Sequence, residues 1–400
     1  MAGLGRKVFN AGDVLTAAQV QGYLQDQAVM VFGGTAARSS AIPTPSEGMV
    51  SYRTDSNALE YYDGSAWSSV GSVAYGLFTK ADSNSVAFTK TGAGTAQIKA
   101  GTYVDVNGTL ITFTSATSIT MPSLTAGTDY FIYVSTAGVI QAVAATGTWP
   151  TAVASPPANS RLIGGFHYAL GGNAAARAGG DTTPTINEYS FWDLKWAPAC
   201  DDPRGMTLVN NKFWSDIYLL NRNPQTNGTS KYNVDIADGE TGGTTTCIIP
   251  TAFGGNGSTR YSTHNWWNNA EVLSAFGKRP PTYSEFAALA FGTTEASSIG
   301  TDQVTTKLNA AYTSKWGVMQ SSGVMFVWGD EFGGGAAGAS WTANTEGRGS
   351  TYQMENAVIF GGGWFDSSSS GSRCSNWSLS PTFSNNGIGG RGVCDHVKLV

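Results

Sequence analysis

Charge is scarce in this chain. Asp, Glu, Lys and Arg supply 13% of its 400 residues, about half of the ~25% usual in a soluble domain. The net charge is −5, and Lys and Arg form no long run. A nucleic-acid partner is therefore excluded, because phosphate binding needs a basic stripe. Long apolar runs are missing as well: none approaches the ~20 residues of a membrane span. The opening "MAGLGRKVFNAGDV" lacks the apolar stretch of a secretory signal. Soluble synthesis in a cytoplasm, without membrane insertion, is the expectation. Histidine is limited to His167, His264 and His396, which fall in separate segments without metal-ligand spacing, so no metal or cofactor is assigned. Cys200, Cys247, Cys374 and Cys394 are too dispersed for a zinc ribbon and too few for a disulfide scaffold. They read as mainly buried thiols, with a Cys374–Cys394 bridge left open.

Glycine, Ser, Thr and Asn replace the missing charge. The chain has 51 Gly, nearly twice the usual ~7%, a composition found in β-rich extracellular or virion proteins. A chain this long predicts two or three domains. In residues 11–31, Val14, Leu15, Val20, Leu24, Ala28 and Val31 recur at near-helical spacing behind Asp13, predicting a short amphipathic helix. "EGMVSYRTDSNALEYYDGSAW" (47–67) alternates in two runs joined at Thr54-Asp55-Ser56-Asn57 and closed by Asp63-Gly64, a hairpin that is marginal alone. From 72 to 145 strand-like runs are broken by Asn107-Gly108 and Ala137-Gly138, predicting a β-sandwich. A Pro-containing linker and a Gly/Ala-rich bridge lead to 186. Beyond it lie ten of the twelve Trp. This C-terminal part carries two helical patterns, 212–221 and 282–292, the second opening on the capping-box residues Thr282 and Glu285. The reading is mainly β with an α+β C-terminal domain, divided into 1–71, 72–185 and 186–400.

Motifs that suggest catalysis do not stand up. "GGGAAG" (333–338) fits a dinucleotide-binding pattern only literally, since no strand enters it and no helix follows. Cys394, Asp395 and His396 are contiguous, so on a strand their side chains alternate between faces and cannot converge as a triad. The same alternation separates Asp330 from Glu331. Asn-X-Ser/Thr sites at Asn107, Asn227, Asn256 and Asn376 carry no meaning without a secretory route. No enzyme activity is expected.

What remains is "WFDSSSSGSRCSNWSLSPTFSNNGIGG" (364–390). It is rich in Ser, Asn and Gly yet holds two Trp and two Phe, and is closed by "RGVCDHVKLV". Positions 363, 365, 367 and 369 have period 2, so an extended segment would present them on one face with Trp364 turned inward.

Together with "INEYSFWDLKWAPACDDPRGMTLV", "FWSDIYLL", "AEVLSAFGKRPPTYSEFAALAFGTTEA" and "WGDEFGG", this ending resembles the C-type-lectin-fold variable proteins of diversity-generating retroelements found in phage tail fibres. The resemblance continues upstream through "SVAFTKTGAGTAQIKAGTYVDVNGTLITFT", covering roughly 75–400. The first ~70 residues look instead like the start of other phage tail proteins, with a hairpin similar to a β-prism.

The resemblance implies an N-terminal attachment and trimerisation region, a sandwich, and a C-type-lectin-like receptor-binding domain whose variable region spans 359–400. It places adenine-diversified positions at Gly363, Phe365, Ser367, Ser369, Asn376, Ser378, Leu379, Phe383, Asn385, Gly387 and Ile388, with Val393 a weaker candidate. Trp364, Arg373, Trp377 and Arg391 fall at framework positions. The implied partners are a host bacterial surface receptor, with protein favoured over glycan, and phage tail or baseplate proteins, in a homotrimer at a tail-fibre tip. The alternative is a carbohydrate-binding or carbohydrate-degrading tail-spike protein.

Overall fold

A computed structural model of the chain describes residues 12, 14–20, 28–70, 76–149, 156–172, 181–239, 245–335, 341–343, 348, 350–352 and 355–399. It is mainly β, with several sheets and few helices. The chain divides into two compact units, one of residues 1–77 with 105–110, the other of 78–104 with 111–400.

The first unit is built on a four-stranded sheet. Met30–Phe32 pairs parallel with Val50–Arg53, which continues antiparallel through Ala58–Tyr62 to Trp67–Val70. The predicted turns set this register. Thr54 to Asn57 closes the first hairpin, with Asn57 at φ 49, a conformation Asn tolerates through its short polar side chain. Asp63 closes the second by accepting from the N–H groups of Ser65 at 2.9 Å and Ala66 at 2.7 Å. The hairpin, marginal by itself, is not left so: a third strand, a parallel strand and the helix Thr35–Ala41 complete it.

The buried face of this sheet is polar. Ser51 and Glu60 lie on it, and Arg38 of the helix pairs with Glu60 while stacking its guanidinium 4.4 Å from the Trp67 ring centroid. The opposite face carries a cross-strand row of Val31, Tyr52, Leu59 and Val70. Val31 and Val70 remain exposed on it. The amphipathic helix expected over 11–31 is described only as one exposed turn, Ala17–Val20. Val31 belongs to a strand instead, where β-branched residues pack well on a pleated surface, while Asp13 and Leu24 lie outside the described residues.

In the second unit one sheet runs through most of the chain. Its strands, in spatial order, are Ile140–Ala144, Thr128–Ser135, Ser160–Leu170, Trp192–Asp193, Trp196–Pro198, Val393–Lys398, Phe213–Asp216 and Met206–Val209. The sheet therefore crosses the expected boundary at 185/186 without a break. A smaller sheet of Phe88–Lys90, Ala96–Ile98 and Thr117–Ser118 meets it through aromatic rings, Phe88 and Phe166 both lying against Phe191 at 5.9 and 5.5 Å. Gly164 lets them approach: a Cβ there would fall 2.5 Å from the Phe88 ring of the smaller sheet.

Of the two expected helices, Tyr283–Leu289 forms with both halves of its capping box in place. The other does not. Residues 213–216 are a strand paired on both edges, with every side chain buried. A short apolar run bounded by polar residues cannot be assigned by period alone, and here pairing with Val393–Lys398 decides it. A helix that the pattern did not announce, Trp266–Ser274, starts at Asn265, whose side chain accepts from the N–H of Asn268.

Candidate functional site

The candidate variable positions gather around a second sheet, ordered Ser375–Leu379, Asn356–Phe360, Phe326–Gly333 and Ile388–Gly389. Its interior is apolar: Trp328, Ile359 and Ile388 are buried together, with Cys374 and Leu379 packed against them.

Leaving Phe360, the chain turns through Gly361 at φ 96 and Gly362 at φ 84. The segment that follows is not extended, contrary to the period-2 expectation. Ser367–Ser369 is a 3-10 turn with Ser367 at φ 49, and Asp366 folds back to accept from the N–H of Gly363 at 2.7 Å. Short polar side chains favour such turns by bonding to nearby backbone. A distant loop moors this one. Glu295 accepts from the N–H of Ser372 at 2.9 Å and from its hydroxyl at 2.5 Å. The N–H groups of Ala296 and Gly300 donate to Ser370 and Trp364 carbonyls at 3.0 and 2.9 Å, and the Ser298 hydroxyl accepts from Ser367 N–H at 2.9 Å. Sequence reasoning missed Glu295, Ser298 and Asp366. Only Asp366, a carboxylate interleaved with candidate positions, offered a local signal.

Phe365 is 52% exposed. Its ring stands edge-on to Trp364 at 5.0 Å and 88° and lies over two glycines. A Cβ on Gly363 would come within 3.0 Å of it, and one on Gly387 within 2.8 Å, with Asn385 Oδ1 3.4 Å from the latter. Thus three candidate positions, 363, 365 and 387, meet at one ring, and a fourth, Asn385, adjoins Gly387. Asn385 also accepts from the N–H of Gly387 at 3.0 Å. Ser367, Ser369, Ser378 and Phe383 are exposed, and Asn376, Leu379 and Asn385 are half-buried. On the edge strand, Asn376 accepts from the N–H and hydroxyl of Ser378 at 2.9 and 2.7 Å.

Other positions depart from the single exposed face expected. Gly363 and Gly387 are buried beneath Phe365, Ile388 is 2% exposed in the sheet core and Val393 is wholly buried. Codon composition carries no information on burial, and Ile388 pairs with Phe326 inside the sheet. The framework residues also differ among themselves. Trp364 and Trp377 are half-buried and Arg373 is exposed. Arg391 has no exposure at all: its guanidinium donates to the carbonyls of Asp216, Ile217, Met319 and Gln320 at 2.7–3.1 Å. Burial lowers its pKa to about 10, leaving it charged at neutral pH.

The remaining candidates have structural surroundings. Glu331 accepts from the N–H of Tyr283 at 2.8 and 3.0 Å, serving the helix start, while Asp330 is exposed. His396 stands edge-on to Trp196 with ring centroids 4.2 Å apart and accepts from the indole N–H of Trp214 at 3.0 Å, and Asp395 faces Arg279. All four cysteines are free, and Cys374 and Cys394 lie in different clusters, so the bridge between them does not form. Among the described residues no three His, Cys, Asp or Glu side chains group as a metal site, and no helix is long and apolar enough to cross a membrane.

The chain is 51% identical over 385 residues to the tail fiber receptor-binding protein of Bordetella phage BPP-1, covering 93% of this chain and 99% of that one. It belongs to the major tropism determinant family. Solved structures of two variants of the major tropism determinant match with TM-scores of 0.78. The I1 variant is 50% identical over 89% of this chain and 96% of its own, and the U1 variant 48% identical over 93% and 100%. The family model described as the Mtd second domain matches residues 86–193, which carries that domain past the boundary expected at 185. Coverage of 93% is also more than residues 75–400 can supply. Similarity to the major tropism determinant therefore reaches into the N-terminal region, which had been read as a departure from it.

Proposed function

We propose that this chain is a phage tail-fibre receptor-binding protein that presents a retroelement-diversified surface to a host bacterial receptor. It is a binder rather than an enzyme, and its place is the virion. Residues 1–71 serve attachment to tail or baseplate proteins and trimerisation, the second domain, which the family match carries to 193, forms the sandwich, and the chain beyond it forms a C-type-lectin-like receptor-binding domain. Phe365 carries the reading: a half-exposed aromatic ring is propped by Trp364 and two glycines on a loop moored from outside. Rigid aromatics among adaptable Ser and Asn supply binding area at little entropic loss, as in antibody paratopes. Such a surface suits a protein receptor.

The row of Val31, Tyr52, Leu59 and Val70, exposed at its two ends, favours a homotrimer, in which copies of the N-terminal sheet cover it. Three copies of a Ser-rich site then gain through avidity. Sedimentation is expected to give about three times the 41.8 kDa chain mass.

Binding of the labelled full chain to a panel of bacterial strains tests the function. Phe365→Ala with Phe383→Ala abolishes binding, protease shaving of the cells removes it, and periodate oxidation of surface sugars spares it. Undiminished binding by the double variant refutes the assigned surface, and loss on periodate alone moves the receptor to glycans. The diversification has its own check in neighbouring DNA: a near-copy of the variable codons with AAY at the assigned positions.

A further inference from the structure

Strands Trp196–Pro198 and Val393–Lys398 pair antiparallel, with Trp196 opposite Lys398, Ala197 opposite Val397 and Pro198 opposite His396. Ala199 extends the ladder by donating its N–H to the Asp395 carbonyl at 2.9 Å. The pairing ends there: Ala199 and Cys200 form a bend, and Cys200, one residue past the last bonded pair, packs against the cluster that holds Cys394. Opposed residues of an antiparallel ladder stand about 4.5–5.5 Å apart at Cα, and disulfides span about 4.4–6.8 Å, so a position just beyond the ladder's end is within reach of one. The two thiols are neighbours and pack into the same cluster with Trp214 and Met206, the Cys200 S–H donating to the Asp202 carbonyl at 3.3 Å.

We propose that Cys200 and Cys394 form a dithiol site that closes to a cross-strand disulfide when the protein leaves a reducing cell interior for an oxidising medium. The change of compartment rests on the tail-fibre reading, whereas the capacity to form the bond rests on the packing of the two cysteines beside the end of the ladder. The oxidant is a small-molecule disulfide of the glutathione class. The Cys200 thiolate attacks one of its sulfurs, the S–S bond breaks, and one glutathione thiolate leaves. Cys394 then gives up its proton and its sulfur displaces the second glutathione thiolate from Cys200. Both protein thiols are oxidised, one glutathione disulfide is reduced to two glutathione thiols, and these take up the two protons.

The surroundings set the order of these steps. A hydrogen bond from Cys394 and the nearby Lys278 ammonium hold the half-buried Cys200 thiol below its ordinary pKa. The same hydrogen bond, with burial, pushes Cys394 up. Cys200 is therefore both the more accessible sulfur and the one that ionises first. The closed bond ties the strand after the candidate variable positions to the strand before them.

The folded full chain, equilibrated with excess oxidised glutathione in mildly alkaline buffer and then alkylated, tests the proposal. A Cys200–Cys394 cross-linked peptide is expected in mass spectrometric mapping, with two of the four thiols protected. The melting temperature should exceed that of the dithiothreitol-treated protein by on the order of 5 °C. Cys200→Ser, at the half-buried position, should melt like the reduced protein and lose all response to oxidant. Alkylation of both Cys200 and Cys394 after oxidation, or a cross-link to Cys247 or Cys374 instead, overturns it. These outcomes are independent of receptor binding, so a failed cell-binding assay leaves the disulfide proposal standing, and the reverse also holds.

Discussion

Adding one methyl group at Gly387 should be felt through Phe365. Gly387 does not have positive φ, so alanine brings no backbone strain, and any effect arises from the 2.8 Å approach of its Cβ to the Phe365 ring. That is closer than carbon atoms pack at their optimum of about 3.5–4.0 Å. The ring is half-exposed and can swing outward, so the protein escapes the clash by giving up the edge-on contact with Trp364 and some apolar burial. Such aromatic pairs are worth about 0.5–1.5 kcal/mol beyond area burial. Gly387→Ala should therefore destabilise the wild type by roughly 0.5–2 kcal/mol and the Phe365→Ala background by less than about 0.3 kcal/mol. Urea unfolding of the four proteins of this double-mutant cycle measures the difference. Equal shifts in both backgrounds would refute the coupling, and with it the view that residues at 363 and 387 decide whether position 365 presents an aromatic ring.

Arg391→Met should destabilise by about 3–5 kcal/mol, since four buried carbonyls lose a charged donor; a shift under about 1 kcal/mol in denaturant melts would contradict this. Ser378→Tyr should change stability by no more than ~0.5 kcal/mol, whereas Ile388→Asn should cost about 3 kcal/mol or more, although both are candidate variable positions; thermal melts that fail to separate them would dissolve the distinction drawn from burial. Burial lowers His264 to about 4, so the unfolded chain, with a histidine pKa of about 6.5, takes the proton first. Stability should fall by up to about 3 kcal/mol as pH drops from about 6.5 to about 4, and His264→Gln should flatten that slope in melts followed across pH; an unchanged slope would relocate the effect.

Local chemistry was legible from the chain. The turns at Thr54 to Asn57 and at Asp63-Gly64, and the capping box at Thr282 and Glu285, depend on neighbours within four residues and formed as expected. Pairing partners far along the chain were not. Residues 213–216 became a strand because Val393–Lys398 lies beside them, and residues 363–369 turned because Asp366 folds back while Glu295 and Ser298 moor the loop. Burial of Ile388 follows from its pairing with Phe326, which no codon argument contains. The candidate site was legible as a set of positions; its division into exposed ring, supporting glycines and buried sheet residues needed the fold.

The position of Val393–Lys398 between Trp196–Pro198 and Phe213–Asp216 fixes an order of events during synthesis. The strands flanking it leave the ribosome nearly two hundred codons earlier than it does, and they face each other across a gap that only it can fill. Ladder pairing over such separations is slow, and the unpaired edges are open to wrong partners while they wait. Every candidate variable codon except Val393 is translated before the sheet can close. The candidate variable surface is thus made first and tested afterwards, by whether the final strand still finds its slot.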